Sequence, residues 1–549
     1  MRILAFSTTH DSSVCSLLNG KIEYFCKEER LTRVKRDNRP FKCLDEYESL
    51  KLGKIDHILY CTPANDEIDV ESIFKTYIKK KFNKEMENFS SLLHHKCHAS
   101  LAYFNSKFKE SLIFVIDRNG SYYFINEQPV ARESESVYIA NNDGINPILK
   151  NFFLKLNKES EKTFILKSLK NYYNNCEIFA NNSLSIVKVY EAATTLIGQN
   201  PLENGKTMGL SSYGDLDNKQ KLFIDGVADC NKFSFLIDED TRTYDNVCFY
   251  NCENLISKNI NKDNYKFYAD KAKLVQSETQ KQVLKLIKKY VEITGIKNVC
   301  IVGGYGLNVV ANNYYLENLP DINFYFEPVA DDTGISIGAA MLKYKQETSK
   351  NPTPCVDNFY HYYKPEKLKI GKKSSLEEVC NLLKNKKSVA IFEGNPEVGP
   401  RALGHRSILF DARNIDSREI VNNIKRREWY RPFAGVIMKS YLNEYFEKLS
   451  INESAYMTVN FKCKSNLKIQ FPGIVHVDNT CRIQTVENGT LYDILNLFNN
   501  KNNCPILLNT SFNLSGEPLV HTIEDAIKTW KNSFLDAVYF VDYNKLLIK

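Results

Sequence analysis

An α/β protein of two domains is what this sequence predicts, from three observations. The chain has 549 residues, more than one hydrophobic core usually spans. Short apolar runs of strand length alternate with stretches of helical period. That alternation is interrupted by TSKNPTPCVDNFYHYYKPEK, which has three prolines and no sustained period and so reads as a linker at 351–369. The domains then cover 1–350 and 370–549.

The first elements are strands at Ile3–Phe6, Val14–Leu18 and Ile22–Phe25. Asn19-Gly20 between the last two is a hairpin signal, and a polar loop holding His10, Asp11 and Ser12 separates the first two. A similar unit recurs with strand Leu112–Ile116, loop Asp117–Gly120 and strand Tyr122–Ile125. A strand, acidic loop and strand used twice suggest a duplicated core of the actin-like and sugar-kinase-like kind. Residues 127–190, rich in Asn and Lys with patchy periodicity, read as an insertion. Val283, Leu284, Leu286, Ile287, Tyr290 and Val291 share one face of a helix over 275–294. Strand Val299–Val302 breaks into Gly303-Gly304, and strand Asn323–Phe326 leads through EPVADDTG into the helix ISIGAAMLKYKQE.

Composition excludes several classes. With 43% hydrophobic and 25% charged residues and a mean hydropathy of −0.38, the chain is an ordinary globular one rather than disordered. No apolar run approaches the roughly 20 residues that cross a bilayer, and MRILAFSTTHDSS lacks the apolar length and cleavage site of a signal peptide. The expectation is a cytoplasmic protein without a membrane. Fifteen Cys with no CxxC read as reduced, mostly buried thiols. The net charge of +7 reads as a solvated Lys-rich surface, with phosphate-bearing substrates or nucleic acid as the minority reading.

HHKCHAS places His94 and His98 at i and i+4, on one face of a helix where both imidazoles reach one ion. Asp117 and Asp332 stand at strand ends, where sites usually form. Two His and two Asp suit iron, manganese or zinc, although either Asp alone reads as a cap or turn residue. Gly303 and Gly304 after a strand let backbone approach a phosphate near a helix N-terminus, and Asn308 follows them as a further candidate for binding an intermediate. Lys206 could neutralise a phosphate, or be a surface Lys.

HHKCHAS, ENGKTMGLSSYG, GGYGLN and EPVADDTGISIGAA follow THDSS and EERLTR in a fixed order. Together they resemble the amino-terminal domain of the O-carbamoyltransferase family that includes nodulation-factor and antibiotic-pathway enzymes. That domain is similar to the metal-dependent transferase that makes threonylcarbamoyladenosine in tRNA. EVGPRALGHRSILFDAR, IKRREWYRPFAG, HVDNTCRIQTV and LLNTSFNLSGEPLV resemble the same family's YrdC-like domain. The residues agree: Arg401, Arg406, Lys425, Arg427, Arg431 and Arg482 form a cationic set of guanidinium forks and one ammonium suited to phosphates. By the resemblance, Asn509 and Ser511 belong to that adenylate-forming site; their own pattern is that of a turn with side-chain caps.

The resemblance implies two half-reactions. The YrdC-like domain would convert carbamoyl phosphate and ATP, with Mg, to carbamoyladenylate. The larger domain would pass the carbamoyl group to an acceptor hydroxyl with the help of an ion on His94, His98, Asp117 and Asp332, iron(II) first and manganese or zinc as alternatives. His10, beside Asp11, is the candidate for assisting deprotonation of the hydroxyl. Three positions depart from the family pattern: Arg118 stands where Gly is usual, Gly435 where Pro is, and Asn479 where Gly is, the last two affecting turn geometry. The default acceptor is a sugar or other small metabolite. The alternatives are a hydroxymethylated pyrimidine in DNA, held by Arg118 and by Lys150, Lys155, Lys158, Lys162, Lys167 and Lys170; a tRNA threonylcarbamoyladenosine-type enzyme; and a non-enzymatic actin-like ATPase scaffold.

Overall fold

A computed structural model describes residues 1–62, 70–89, 93–154, 159–236, 246–250, 260–356 and 361–549. Contacts divide the chain into two compact units. Unit 1 comprises Met1–Thr9, Ser13–Glu23 and Leu44–Cys355, and unit 2 comprises His10–Ser12, Tyr24–Cys43 and Val356–Lys549. A single division at a linker, as read from the sequence, leaves out that two early segments cluster with the C-terminal residues.

Unit 1 is built on two sheets. The first contains β1 (Arg2–Ser7), β2 (Ser13–Leu18), β3 (Lys21–Lys27), β4 (His57–Cys61) and β5 (Glu87–Asn88), in the order β3-β2-β1-β4-β5; β3 runs on into unit 2 residues. Asn19 and Gly20 both have positive φ, 49° and 85°, which makes the tight turn of the β2–β3 hairpin. The second sheet contains β6 (Ser111–Ile116), β7 (Tyr122–Ile125), β8 (Gln128–Asn141), β9 (Gly144–Leu154), β10 (Glu177–Asn181), β11 (Asn298–Val302) and β12 (Asn323–Phe326), in the order β10-β9-β8-β6-β11-β12, with β7 beside β8.

The duplication is visible in the pairing. β1 pairs antiparallel with β2 and parallel with β4, and β6 pairs antiparallel with β8 and parallel with β11. The antiparallel partner of β6 is thus β8, whereas the sequence pointed to 122–125. Residues 127–190 are not an insertion: β8, β9 and β10 are three of the seven strands of the second sheet. They misread as one because β8 and β9 bury Glu133, Glu135 and Lys150, so charged residues occupy inward positions and the alternation of apolar and polar is lost.

The helices that matter to the site are α1 (His94–Ser106), α2 (Ile186–Leu196), α3 (Tyr265–Thr294) and α4 (Ile335–Thr348). α3 starts ten residues before the predicted helix, because Tyr268, Ala269, Ala272 and Leu274 extend its buried face. It ends at Gly295, whose φ of 72° supplies the left-handed cap. α4 packs on α1, β1 and β2.

Unit 2 holds a nine-stranded mixed sheet. Its strands are β13 (Lys372–Lys373), β14 (Val389–Phe392), β15 (Arg406–Asp411), β16 (Ala434–Met438), β17 (Asn460–Lys462), β18 (Thr480–Val486), β19 (Ile506–Ser511), β20 (Ala537–Phe540) and β21 (Lys545–Ile548), in the order β13-β21-β20-β14-β15-β19-β16-β18-β17. One face packs Phe392, Ile408, Phe512, Val520, Val538 and Phe540 into a continuous core. The chain is mixed α/β throughout. Its described cysteines are free thiols, buried except for Cys176 and Cys230, and among the described residues no helix is long and apolar enough to cross a membrane.

Candidate active site

In unit 1 the predicted ligands converge. His94 and His98 lie one turn apart at the start of α1, Asp117 follows the last residue of β6, and Asp332 precedes α4. One ligand atom from each lies within 4.8 Å of the others, and all four residues are buried. His94 Nε2 is 3.3 Å from Asp117 Oδ2 and 3.5 Å from Asp332 Oδ1, and His98 Nε2 is 3.4 Å from Asp332 Oδ1. Two glycines allow this convergence. A side chain at Gly338 would collide with the Cys97 carbonyl of α1, and one at Gly334 with Leu101, so α4 lies against α1 with backbone exposed to backbone.

The electrostatics fit a cation. Burial opposes a charged imidazole at His94, but Asp332 and Asp117 outweigh it and raise its pKa to about 10. Burial likewise opposes the Asp117 carboxylate, yet His94 and His98 hold it well below the usual range. His94 Nδ1 and both ring nitrogens of His98 are buried without a hydrogen-bond partner. Two buried carboxylates need compensating positive charge, and the orphaned nitrogens are donors to a metal. The residues therefore fit a divalent ion. Two imidazoles and two carboxylates suit iron, manganese and zinc alike.

Around this cluster, the Gly304 N–H donates to Asp117 Oδ1 at 2.9 Å. Gly303 has φ of 86° and no space for a side chain against the Ile116 backbone, so this loop is fastened to the end of β6. Asn308 caps the helix Val309–Asn318 through Ala311 N–H at 3.1 Å and bonds to Gln276, which engages its side chain structurally. Lys206, in the helix Asn204–Ser211, donates to Gln199 at 2.6 Å and pairs with Glu203 at 2.9 Å.

In unit 2, His10 Nε2 lies 3.1 Å from Asp11 Oδ2, and Asp11 also pairs with Lys27. Despite burial, Lys27 and His10 hold the Asp11 carboxyl well below its ordinary range. Strand register sets Arg482 within the cationic set. Arg482 of β18 and Asn509 of β19 are both partners of Ala434 in β16. Asn509 donates to Gln484 at 2.8 Å and to the Ala402 carbonyl at 3.3 Å, and Gln484 donates to the Leu403 carbonyl at 2.9 Å, so the sheet holds the loop that carries Arg401. Burial, then Arg401 and Arg431, depress the Arg482 guanidinium; burial, then Arg431 and Arg482, depress Arg427. Lys425, at the end of α5 (Ser417–Lys425), donates to the carbonyl of Ser511, to Ser511 Oγ at 3.1 Å and to the Asn513 carbonyl at 2.8 Å. Burial, then Arg427 and Arg431, push its ammonium well below the usual value.

Arg406 is a correction to the predicted set. Its side chain is fully buried and donates to the carbonyls of Glu393, His405, Gly394 and His521, with the guanidinium carbon 3.5 Å from the Phe392 ring centroid. It organises main chain rather than waiting for a phosphate.

The family description Carbamoyltransferase N-terminus matches residues 65–341, and Carbamoyltransferase C-terminus matches residues 380–546. The chain belongs to the carbamoyltransferase family. It is 25% identical to the nodulation protein NolNO of Sinorhizobium fredii, over 97% of this chain and 78% of that one. To an uncharacterized protein of Methanocaldococcus jannaschii it is 28% identical, over 98% and 99%. Among solved structures, full-length HypF in its phosphate- and nucleotide-bound form aligns with a TM-score of 0.38 at 14% identity, over 63% of this chain and 56% of that one. A ROK family protein from Streptococcus pneumoniae aligns with a TM-score of 0.33 at 9% identity, over 63% and 99%.

This carbamoyltransferase accommodates its three departures differently. Arg118 forms an ion pair with Glu191 of α2, which is completely buried and also meets Lys188 at 3.3 Å. Asn479 has φ of 60°, left-handed backbone that Gly favours and Asn tolerates. Gly435 lies inside β16 rather than in a turn, with Ile483 and Ile474 against it. Sequence reasoning missed Glu397, whose Oε1 accepts the main-chain N–H groups of Leu403, His405 and Arg406 at 2.7, 2.8 and 3.2 Å. It opens the motif EVGPRALGHRS, and a lone Glu two residues before Gly399-Pro400 was the available signal. Missed too was the buried Glu133, which pairs with Lys150 and accepts the Ser121 N–H at 3.1 Å.

Proposed function

We propose that this carbamoyltransferase uses ATP and carbamoyl phosphate to form carbamoyladenylate at the cationic residues of unit 2, and delivers the carbamoyl group to an acceptor hydroxyl at the His–Asp cluster of unit 1. In the first step a carbamoyl oxygen becomes bonded to the α-phosphorus of ATP and pyrophosphate leaves, while water takes the phosphoryl group of carbamoyl phosphate as inorganic phosphate. Arg401, Arg427, Arg431 and Arg482 hold the phosphates and Lys425 neutralises charge near Ser511. The observation that carries this reading is the gathering of Arg401 and Arg431 around Arg482, a concentration of positive charge that polyphosphate relieves.

In the second step the carbamoyl carbon leaves the adenylate for the acceptor oxygen and AMP departs. His94, His98, Asp117 and Asp332 would hold a divalent metal, iron(II) by preference, whose chemistry there is Lewis-acid polarisation of an oxygen. Gly303, Gly304 and Lys206 are the candidates for holding the adenylate. His10, aligned by Asp11, is the candidate for taking the hydroxyl proton. A sugar or other small metabolite is the acceptor proposed. The burial of Lys150 removes one cation from the nucleic-acid alternative, Lys155 and Lys158 lie outside the described residues, and Lys162, Lys167 and Lys170 remain partly or fully exposed.

The test is exchange of labelled pyrophosphate into ATP. Exchange that requires carbamoyl phosphate supports the first step, and exchange without it rejects the reading. A panel of hydroxylated sugars, nucleosides and 5-hydroxymethylcytosine duplex, weighed for one added carbamoyl group, then decides the acceptor.

A further inference from the structure

Unit 2 buries a second polar cluster that the proposed reaction does not use. Arg30, in the short helix Glu28–Thr32, is 3% exposed. Its Nη2 donates to the Glu397 main-chain carbonyl at 3.3 Å, while Nε and Nη1 meet no acceptor. The nearest paired carboxylate, Glu29, is 3.9 Å from Nε and is shared with Lys27. Glu397, 2% exposed, commits Oε1 to three N–H groups and leaves Oε2 without a partner.

Two histidines complete the cluster. His361 is fully buried and its Nδ1 accepts the Lys27 N–H at 3.2 Å, which places the ring proton on Nε2. That Nε2 is buried without a hydrogen-bond partner. His521, 2% exposed, has its ring centroid 6.0 Å from that of His361, and its Nδ1 has no partner. Burial keeps both rings neutral, reinforced by Arg30 at each, by Lys27 at His361 and by Arg406 and Arg33 at His521. The groups acting most strongly on Arg482 and Arg427 are a different set, Arg401, Arg431 and Glu428 among them.

We propose that Arg30, His361, His521 and Glu397 form an anion site for one small oxyanion that also carries a hydrogen-bond donor, the chemistry shared by hydrogen phosphate and bicarbonate. Buried donors without acceptors are costly, and more so when charged. Water supplies acceptors but no charge, and Arg30 and the buried Arg406 have only the half-engaged Glu397 carboxylate in common. An oxyanion answers the Arg and His donors, and its one protonated oxygen answers Glu397 Oε2. Every one of these atoms is buried, so a ligand that met them would be a group of few atoms rather than a nucleotide. Such a ligand fastens residues 24–43 to the rest of unit 2, and it does not depend on the reaction proposed above.

The experiment uses the full chain and Arg30→Met, titrated calorimetrically with inorganic phosphate, bicarbonate and sulfate, together with crystals soaked in arsenate, which like phosphate keeps a protonated oxygen near neutral pH. Expected are anomalous density within hydrogen-bond reach of Arg30, tighter binding of phosphate or bicarbonate than of sulfate, and at least a tenfold loss of that binding in Arg30→Met. If Arg30→Met does not fold, His521→Phe, which keeps the ring volume and removes Nδ1, is read in the same way. Only water beside Arg30 under saturating arsenate, or unchanged affinity in the folded variant, overturns the proposal.

Discussion

Gly338 of α4 stands directly against the Cys97 carbonyl oxygen of α1, and the two helices it joins are those that bring Asp332 to His94 and His98. Gly338→Ala is expected to force the helices apart. Overpacking of this kind costs about 1–3 kcal/mol, and the metal bound per chain, measured by mass spectrometry of the purified protein, should fall well below that of the parent. Full metal content would show that the close approach is not what sets the cluster.

Removing a ligand outright separates the two half-reactions. His98→Ala or Asp332→Ala should lose metal and carbamoyl transfer, while exchange of pyrophosphate into ATP persists at least in part. Chelation of the parent protein should have the same effect. A folded variant that loses both activities contradicts the division of labour.

The converse holds for Arg401→Ala and Lys425→Ala. Each removed charge-assisted contact to phosphate is worth on the order of 1.5–3 kcal/mol, so adenylate formation should drop at least about tenfold, and further for Lys425, which also ties Ser511 to Asn513. Carbamoyl transfer from supplied carbamoyladenylate should survive. Its loss would mean that the sites are not separate.

Arg118→Gly restores the residue usual in the family and is nevertheless expected to destabilise. It leaves Glu191, fully buried, with Lys188 as an ion-pair partner, at a cost of at most about 3–5 kcal/mol. Thermal denaturation of Arg118→Gly and of Arg118→Gly with Glu191→Gln should show the second change recovering part of the loss. An unchanged melting temperature in the single variant would free Arg118 for a role toward the acceptor.

Burial lowers the pKa of His476 to about 4, with Arg418 adding to it and Asp478 opposing. The unfolded chain takes up the proton first, near pH 6.5, so this contribution to stability is fully present above about pH 6.5 and is lost as the pH falls toward 4. It amounts to roughly 3 kcal/mol by the usual conversion. Both tryptophans, Trp429 and Trp530, lie in unit 2, so urea unfolding followed by their fluorescence reports that unit alone. His476→Phe should flatten the acid limb between pH 6.5 and 4, and an unaltered limb would assign the loss to another group.

Much of the site was legible because its residues obey local periods. His94 and His98 are one helical turn apart, Asp117 ends a run of six buried strand residues, and Asn19-Gly20 has the backbone its turn requires. What stayed hidden depends on burial, which charge conceals. Lys150 reads as a surface cation among other lysines, yet it sits against Glu133 and Tyr138 in the interior. Arg406 reads as one more phosphate ligand because no sequence pattern shows that four carbonyls surround it. Strand pairing was hidden for a related reason: β7 and β8 are both plausible partners for β6, and only the longer one continues into β9.

The assignment of Tyr24–Cys43 to unit 2 means that the gene and the folded object are cut in different places. A fragment beginning at Val356 would carry the whole nine-stranded sheet yet lack Arg33, which donates to the carbonyls of Leu519 and Pro518 at 2.7 and 2.9 Å, and Lys27, which supports His361. Two segments far apart in sequence are thereby made dependent on one another for folding. The earlier segment cannot finish packing until the later one is present, so unit 2 matures only after the residues beyond Val356 have been made.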